Sequence, residues 1–321
     1  MEDKSIPPSH PSLGFFGILN ESFKTTSRNW KMLVAILLPS FLSLSQLEFS
    51  LDYIHIPPVK HFATHMAEHP NMSFLRRNLH IVTYRNAFDD IFEIIRDKHL
   101  TLAISCAIKL FFSVAIVSSS SEAYTAKVIT HEDFFLKIRR WKEPLHTSIY
   151  MIIMTFAIIC VYLASYGLTY ILPLNYKWSD LFSNAISLTI PFCYIYVSPL
   201  WTVSVIVSVL EGFGGFNAIR RAAVLMKGKR LQATLLMVPF FITEFFIHFS
   251  FNMFLRTYDR RRIKDYKFVM DIWVYYTKGT SCLLKLLMFV VYTVFYHERK
   301  RSFDQKELMG ILSSLDAAEN Q

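Results

Sequence analysis

Three ionisable residues stand inside otherwise continuous apolar stretches of this 321-residue chain: Lys109, Glu244 and Lys285. A charge in hydrocarbon is expensive, so such a group is expected to pair, to line a wet cavity or to carry function. Counted inward from the ends of their stretches at 1.5 Å per residue, all three lie roughly 14 to 17 Å deep. They therefore share one level, and Glu244 is expected to point inward and pair with Lys285, Lys109 or both. His248 lies one turn along the same helix as a hydrogen-bond partner. The chemistry open to such a cluster is a proton-coupled relay, or purely structural specificity. The competing reading is that each lysine snorkels to an interface, which a lysine stem barely reaches from mid-span.

Other chemical signals are sparser. His61, His65 and His69 recur every fourth residue with Glu68 beside them, so on a helix they share a face that could seat zinc or copper. The same spacing describes a polar helix face at a wet surface, and the expectation is no metal and no cofactor. The string EGFGGF around Gly212, Gly214 and Gly215 lacks both GxGxxG and a GK[ST] ending, which makes it a turn and not a phosphate loop. There is no GxSxG, no HExxH and no carboxylate pair on an interfacial helix, so no enzyme is expected.

The elements that must position these residues are apolar helices. The chain is 53% hydrophobic and 16% aromatic with mean hydropathy +0.31. A bilayer crossing needs roughly 20 mainly apolar residues, and six blocks qualify: 32-50, 100-120, 148-172, 184-210, 231-255 and 276-296. The blocks are continuous where a barrel would alternate. The expected fold is all-α, a polytopic bundle of six transmembrane helices over residues 13-301 with amphipathic juxtamembrane helices. Residues 1-12, with Pro7, Pro8 and Pro11, are expected to be disordered, 51-99 to form a lumenal helical loop, and 302-321 a cytoplasmic tail.

A net charge of +9 sits in clusters beside span ends, which points to anionic headgroups and not to nucleic acid. Cys106, Cys160, Cys193 and Cys282 all fall in spans without metal or disulfide spacing. Lys24, Arg28 and Lys31 precede the first span closely and only Lys60 follows it within about 20 residues, so both termini are placed in the cytoplasm. That places Asn71, in the sequon Asn71-Met72-Ser73, on the lumenal side as an N-glycosylation acceptor. Arg299, Lys300 and Arg301 read either as a retention string or as a stop-transfer cluster.

The most informative stretch is the hairpin between the fourth and fifth spans. Phe216, Ile219, Ala222, Ala223 and Met226 recur at helical spacing, with Arg220, Arg221, Lys227, Lys229 and Arg230 on the other faces. The pattern predicts a surface helix of about three turns, capped by Asn217 and stopped by Gly228. Glu211 either pairs with Arg220 or Arg221, fixing the angle of the surface helix, or stands as a solvated interfacial carboxylate. A second such helix precedes the first span, with Phe16, Leu19, Phe23 and Trp30 as its apolar stripe, and a third is suggested by Phe134, Phe135, Ile138 and Trp141. Spans one, four and five contain Pro39, Pro191, Pro199 and Pro239, and the hydroxyls of Ser187, Thr189, Ser198, Thr202, Ser204 and Ser208 in span four either line a polar path or bond their own backbone.

Glu211, Arg220, Leu225, Lys227, Gly228 and Arg230 resemble a pattern in the membrane domain of glycerophosphoryl diester phosphodiesterases: a Glu leaving a span, an Ala-x-x-Arg-x-x-x-Leu helix, then Lys-Gly-Lys/Arg. The likeness covers about 30 residues, and the catalytic His-Arg-Gly string of those enzymes is absent, so it implies no hydrolase. Over its whole length the chain is similar to a plant family of six-span membrane proteins. The function expected is non-catalytic: organising lipid or partner proteins in an endomembrane, the endoplasmic reticulum or a membrane connected to it. The alternative is a transporter of a small solute or lipid.

Overall fold

The computed structural model describes residues 13–52, 100, 103–125, 141–171, 176–257 and 266–319. Among these, all regular structure is helical, as the unbroken apolar runs require: α1 (Phe15–Arg28), α2 (Trp30–Asp52), α3 (Ala103–Thr125), α4 (Lys142–Ile171), α5 (Tyr176–Leu210), α6 (Phe216–Leu225), α7 (Arg230–Thr257) and α8 (Tyr266–Glu319). Pro39 and Pro239 are accommodated inside α2 and α7.

Where six spans were expected, four described segments are long and apolar enough to cross a membrane: Ala103–Thr125, Phe192–Leu210, Arg230–Phe251 and Asp271–Met309. The expected spans 32-50 and 148-172 fall on α2 and α4, but the apolar described part of α2 is the shorter Trp30–Ser43. Residues 302–319 are helical: α8 runs unbroken through the end of the sixth block to Glu319.

α8 is the axis of the bundle, packing against α1, α2, α5, α6 and α7. Side-chain pairs fix the helix directions. Asn29, just before α2, bonds Ser119 near the end of α3, whereas Pro39 and Ser43 further along α2 line one pocket with Ala107 near the start of α3. Along α7 the pairs Ala233–Tyr292, Glu244–Lys285 and Phe254–Trp273 descend α8 in reverse. α2 is therefore antiparallel to α3, and α7 to α8, the latter as the short connection 258–265 demands.

The densest core lies at one end, where α1 and α6 close the bundle. There Ile18, Val117, Ile206, Ala222, Leu236 and Tyr292 meet from six helices. A smaller cluster of Leu33, Ile36, Ala115, Ile116, Leu286 and Val290 joins α2, α3 and α8. Away from this end the helices turn apolar side chains outward. On α4 Ile152, Ile153, Met154 and Phe156 are exposed, and on α7 only 11% of the apolar window is buried. An apolar surface this continuous is not tolerated in water.

Candidate functional site

The closed end is organised by Glu211, the residue that leaves α5. Its carboxylate side chain is 7% exposed and has three partners: Tyr296 donates to Oε1 at 2.6 Å, Lys300 Nζ lies 3.1 Å from the same oxygen, and Arg221 Nε donates to Oε2 at 3.2 Å. Arg221 rather than Arg220 takes the expected role, and Arg220 is exposed. Burial by itself would raise the Glu211 pKa, but the Tyr296 hydrogen bond and the Lys300 and Arg221 cations outweigh it and leave the carboxyl below its ordinary value. The cations are themselves seated, Arg221 over the Phe303 ring at 5.1 Å and Lys300 near the Tyr296 ring at 5.8 Å.

Helix α6 is held to this node from both ends. Its N-cap is Gly215, not Asn217, and Gly215 adopts φ +61°, ψ −133°, a conformation open to glycine alone. The Gly215 N–H donates to Thr147 Oγ1 of α4 at 3.0 Å, while the Tyr150 ring would lie 3.0 Å from any added Cβ. At the other end Arg299 of α8 donates to the carbonyls of Leu225 and Lys227 at 3.1 and 3.3 Å, satisfying acceptors that the end of a helix leaves open. Gly228, at φ +82°, reverses the chain, and Arg230 then reaches Tyr196 Oη at 3.5 Å. Arg299 and Lys300, read from sequence as part of a retention or stop-transfer string, are thus structural partners of α6 and Glu211.

The apolar residues of these short helices divide differently from the sequence pattern. On α6 the buried side is Ala218, Ala222, Leu225 and Met226, and Phe216 is exposed. On α1 the buried side is Ile18, Ser22 and Thr25, the two hydroxyls donating to carbonyls of their own helix, whereas Phe16, Phe23 and, at the start of α2, Trp30 face outward.

A polar network that the sequence reading passed over lies beside the node. Ser118, Ser119, Ser120, Ser121 and Glu122 are all buried in α3. Ser121 Oγ is 2.9 Å from His297 Nε2, Tyr124 stacks on the His297 ring and donates to Glu298 at 3.1 Å, and Asn29 donates to Ser119 Oγ at 2.7 Å. The run of four serines and a glutamate at the end of an apolar block was the available signal.

Midway along the bundle, Glu244 Oε1 and Lys285 Nζ are 4.0 Å apart, an ion-pair distance longer than a hydrogen bond. Lys109 and Lys285 line one cavity of about 390 Å³, walled by α2, α3, α4, α5 and α8. His248 is exposed one turn further along α7 and joins neither lysine among the described residues. In α5, Thr189, Thr202, Ser204 and Ser208 donate to carbonyls of their own helix. His61, His65, His69 and Asn71 lie outside the described residues, among which no group of three metal-ligating side chains occurs.

No curated protein and no solved structure matches the chain. One family pattern does, over residues 9–313, and by that match the chain belongs to the family described as a domain of unknown function, DUF8558.

Proposed function

We propose that this is an integral membrane protein that crosses an endomembrane six times, through α2, α3, α4, α5, α7 and α8, and organises lipid or partner proteins without catalysing a reaction. The antiparallel runs of helices around α8 and the outward apolar faces of α4 and α7 support six crossings. With six crossings both termini lie on one side, the side of α1 and α6, which the first-span charge bias makes cytoplasmic.

The observation that carries the organising role is the exposed face of the closed end. Phe16, Phe23, Trp30, Phe213 and Phe216 are exposed there alongside Lys24, Arg28, Arg220 and Lys227. Aromatic side chains between cations are what a helix at headgroup level presents to anionic lipid. The likeness of Glu211, Leu225 and Gly228 to the phosphodiesterase membrane domain is read the same way: each has a structural reason, so the shared pattern describes a hairpin and not hydrolysis.

The test is lipid retention. Purified from its own membrane and compared with the variant Phe16→Ser, Phe23→Ser, Phe216→Ser, the protein is expected to carry an excess of anionic lipid that the variant loses. Identical lipid profiles would end the organising role. A second reading, a transporter, is favoured by the cavity between α3 and α8; substrate-dependent flux in proteoliposomes would establish it.

A further inference from the structure

We propose that Ser27 is a phosphorylation site, the acceptor of a phosphoryl group from ATP, and that the added charge releases the outer face of α1 from anionic lipid. The inference rests on the lipid reading above and names the regulation of that same face.

The hydroxyls of α1 fall into two sets. Ser22, Thr25 and Thr26 donate to the carbonyls of Ile18, Glu21 and Ser22 at 2.6, 2.8 and 2.9 Å, and Ser22 and Thr25 are buried as well. Ser27 is exposed and makes no hydrogen bond among the described residues. It stands three residues after Lys24 and beside Arg28, both exposed, and Lys31 is exposed in the first turn of α2. Cations on both sides of a free serine hydroxyl are the setting that a basophilic protein kinase reads. Ser27 is also next to last in α1, where Asn29 interrupts the chain before α2, so only a terminal turn has to open for it to enter an active site. The transfer breaks the bond between the β–γ bridging oxygen and the terminal phosphorus of ATP, joins that phosphorus to Ser27 Oγ and passes the hydroxyl proton to a base of the kinase.

The position of Ser27 on the helix decides what the charge does. By helical spacing it shares a face with the exposed Phe16, Asn20 and Phe23, and lies opposite Ile18, Ser22 and Thr25, the buried side of α1. A phosphate there leaves the docked side untouched and sets about −1.5 to −2 charge among Phe23, Lys24 and Arg28. Glu21, 3.9 Å from Lys24, already offsets part of that cation. The face loses its net positive charge and with it the attraction to anionic headgroups. A face sunk among headgroups cannot enter a kinase, so lipid protects Ser27 and phosphate on Ser27 opposes lipid.

The experiment uses the full chain in nanodiscs of phosphatidylcholine alone or in equal parts with phosphatidylserine, treated with magnesium ATP and a purified basophilic kinase, with a soluble peptide substrate as rate reference. Peptide mass spectrometry is expected to place phosphate on Ser27, and to find the transfer slower with phosphatidylserine present. Returned to neutral detergent and weighed by native mass spectrometry, the phosphorylated protein is expected to retain about a tenth as much phosphatidylserine as the unphosphorylated protein. Ser27→Asp is expected to show a smaller loss and the uncharged Ser27→Asn none. No phosphate on Ser27 in phosphatidylcholine overturns the proposal, as does phosphorylated protein that keeps its full phosphatidylserine. Failure of the lipid reading shows separately, as unchanged phosphatidylserine retention in the variant Phe16→Ser, Phe23→Ser, Phe216→Ser; retention that this variant loses but phosphate leaves intact sinks the phosphorylation switch alone.

Discussion

At the residue scale the decisive group is Glu211, a buried carboxylate whose partners come from two other helices. Its pKa lies below the ordinary value of 4.5, so its contribution to stability is complete above pH 4.5 and is lost as pH falls through the lower folded-state value. Thermal midpoints in detergent are expected to fall on acidification below 4.5, and the variant Glu211→Gln, less stable at neutral pH, is expected to fall less over that window. Parallel curves for the two proteins would show that the node adds no acid sensitivity. Tyr296→Phe removes one hydrogen bond to a charged acceptor and should cost about 1.5–3 kcal/mol. The Glu244–Lys285 pair invites a double-mutant cycle: Glu244→Gln strands the ammonium and should destabilise more than Glu244→Gln with Lys285→Met, with a coupling on the order of 1 kcal/mol. Additive effects of the two changes would mean that the 4.0 Å approach carries no energy.

At the element scale, α6 has 10 residues and is too short to persist alone, so its tertiary anchors decide whether it exists. Gly215→Ala meets two obstacles, the left-handed backbone at φ +61° and the Tyr150 ring 3.0 Å from the new Cβ. The expected cost is about 1–3 kcal/mol from the backbone conformation, with the ring clash added. Adding Tyr150→Leu relieves only the clash, so recovery should be partial when midpoints are measured; full recovery would show the backbone to be unstrained. Arg299→Lys keeps the charge but not the fork that reaches both Leu225 and Lys227 carbonyls. It should increase protease cutting between α6 and α7, and unchanged cutting would assign the α6 anchor to Gly215 alone.

At the scale of the whole molecule the testable quantity is sidedness. If α1 and α6 face the cytosol, Asn71 is modifiable by the glycosylation machinery and Asn20, in the sequon Asn20-Glu21-Ser22 on α1, is not. A glycosidase-sensitive mobility shift that survives Asn71→Gln and disappears with Asn20→Gln would invert the topology. The sequence by itself determined that the chain is all-helical and apolar in long blocks, because continuous hydrophobicity over a helix length is a local property. It also marked Glu211, Gly228 and the common level of Glu244 and Lys285, since a polar residue, a glycine or a charge out of place announces itself. What only the tertiary structure decided is which face of each short helix is buried and which cations are engaged. Phe16 and Phe216 belong to the apolar stripes of two surface helices and stay exposed, while Ile18, Ser22, Thr25, Ala218, Ala222 and Leu225 are the residues that dock. Lys300 lies 89 residues after Glu211 in the chain and Arg299 lies 74 after Leu225. No spacing rule connects such distant positions, and only the packing of α8 through the bundle brings them together.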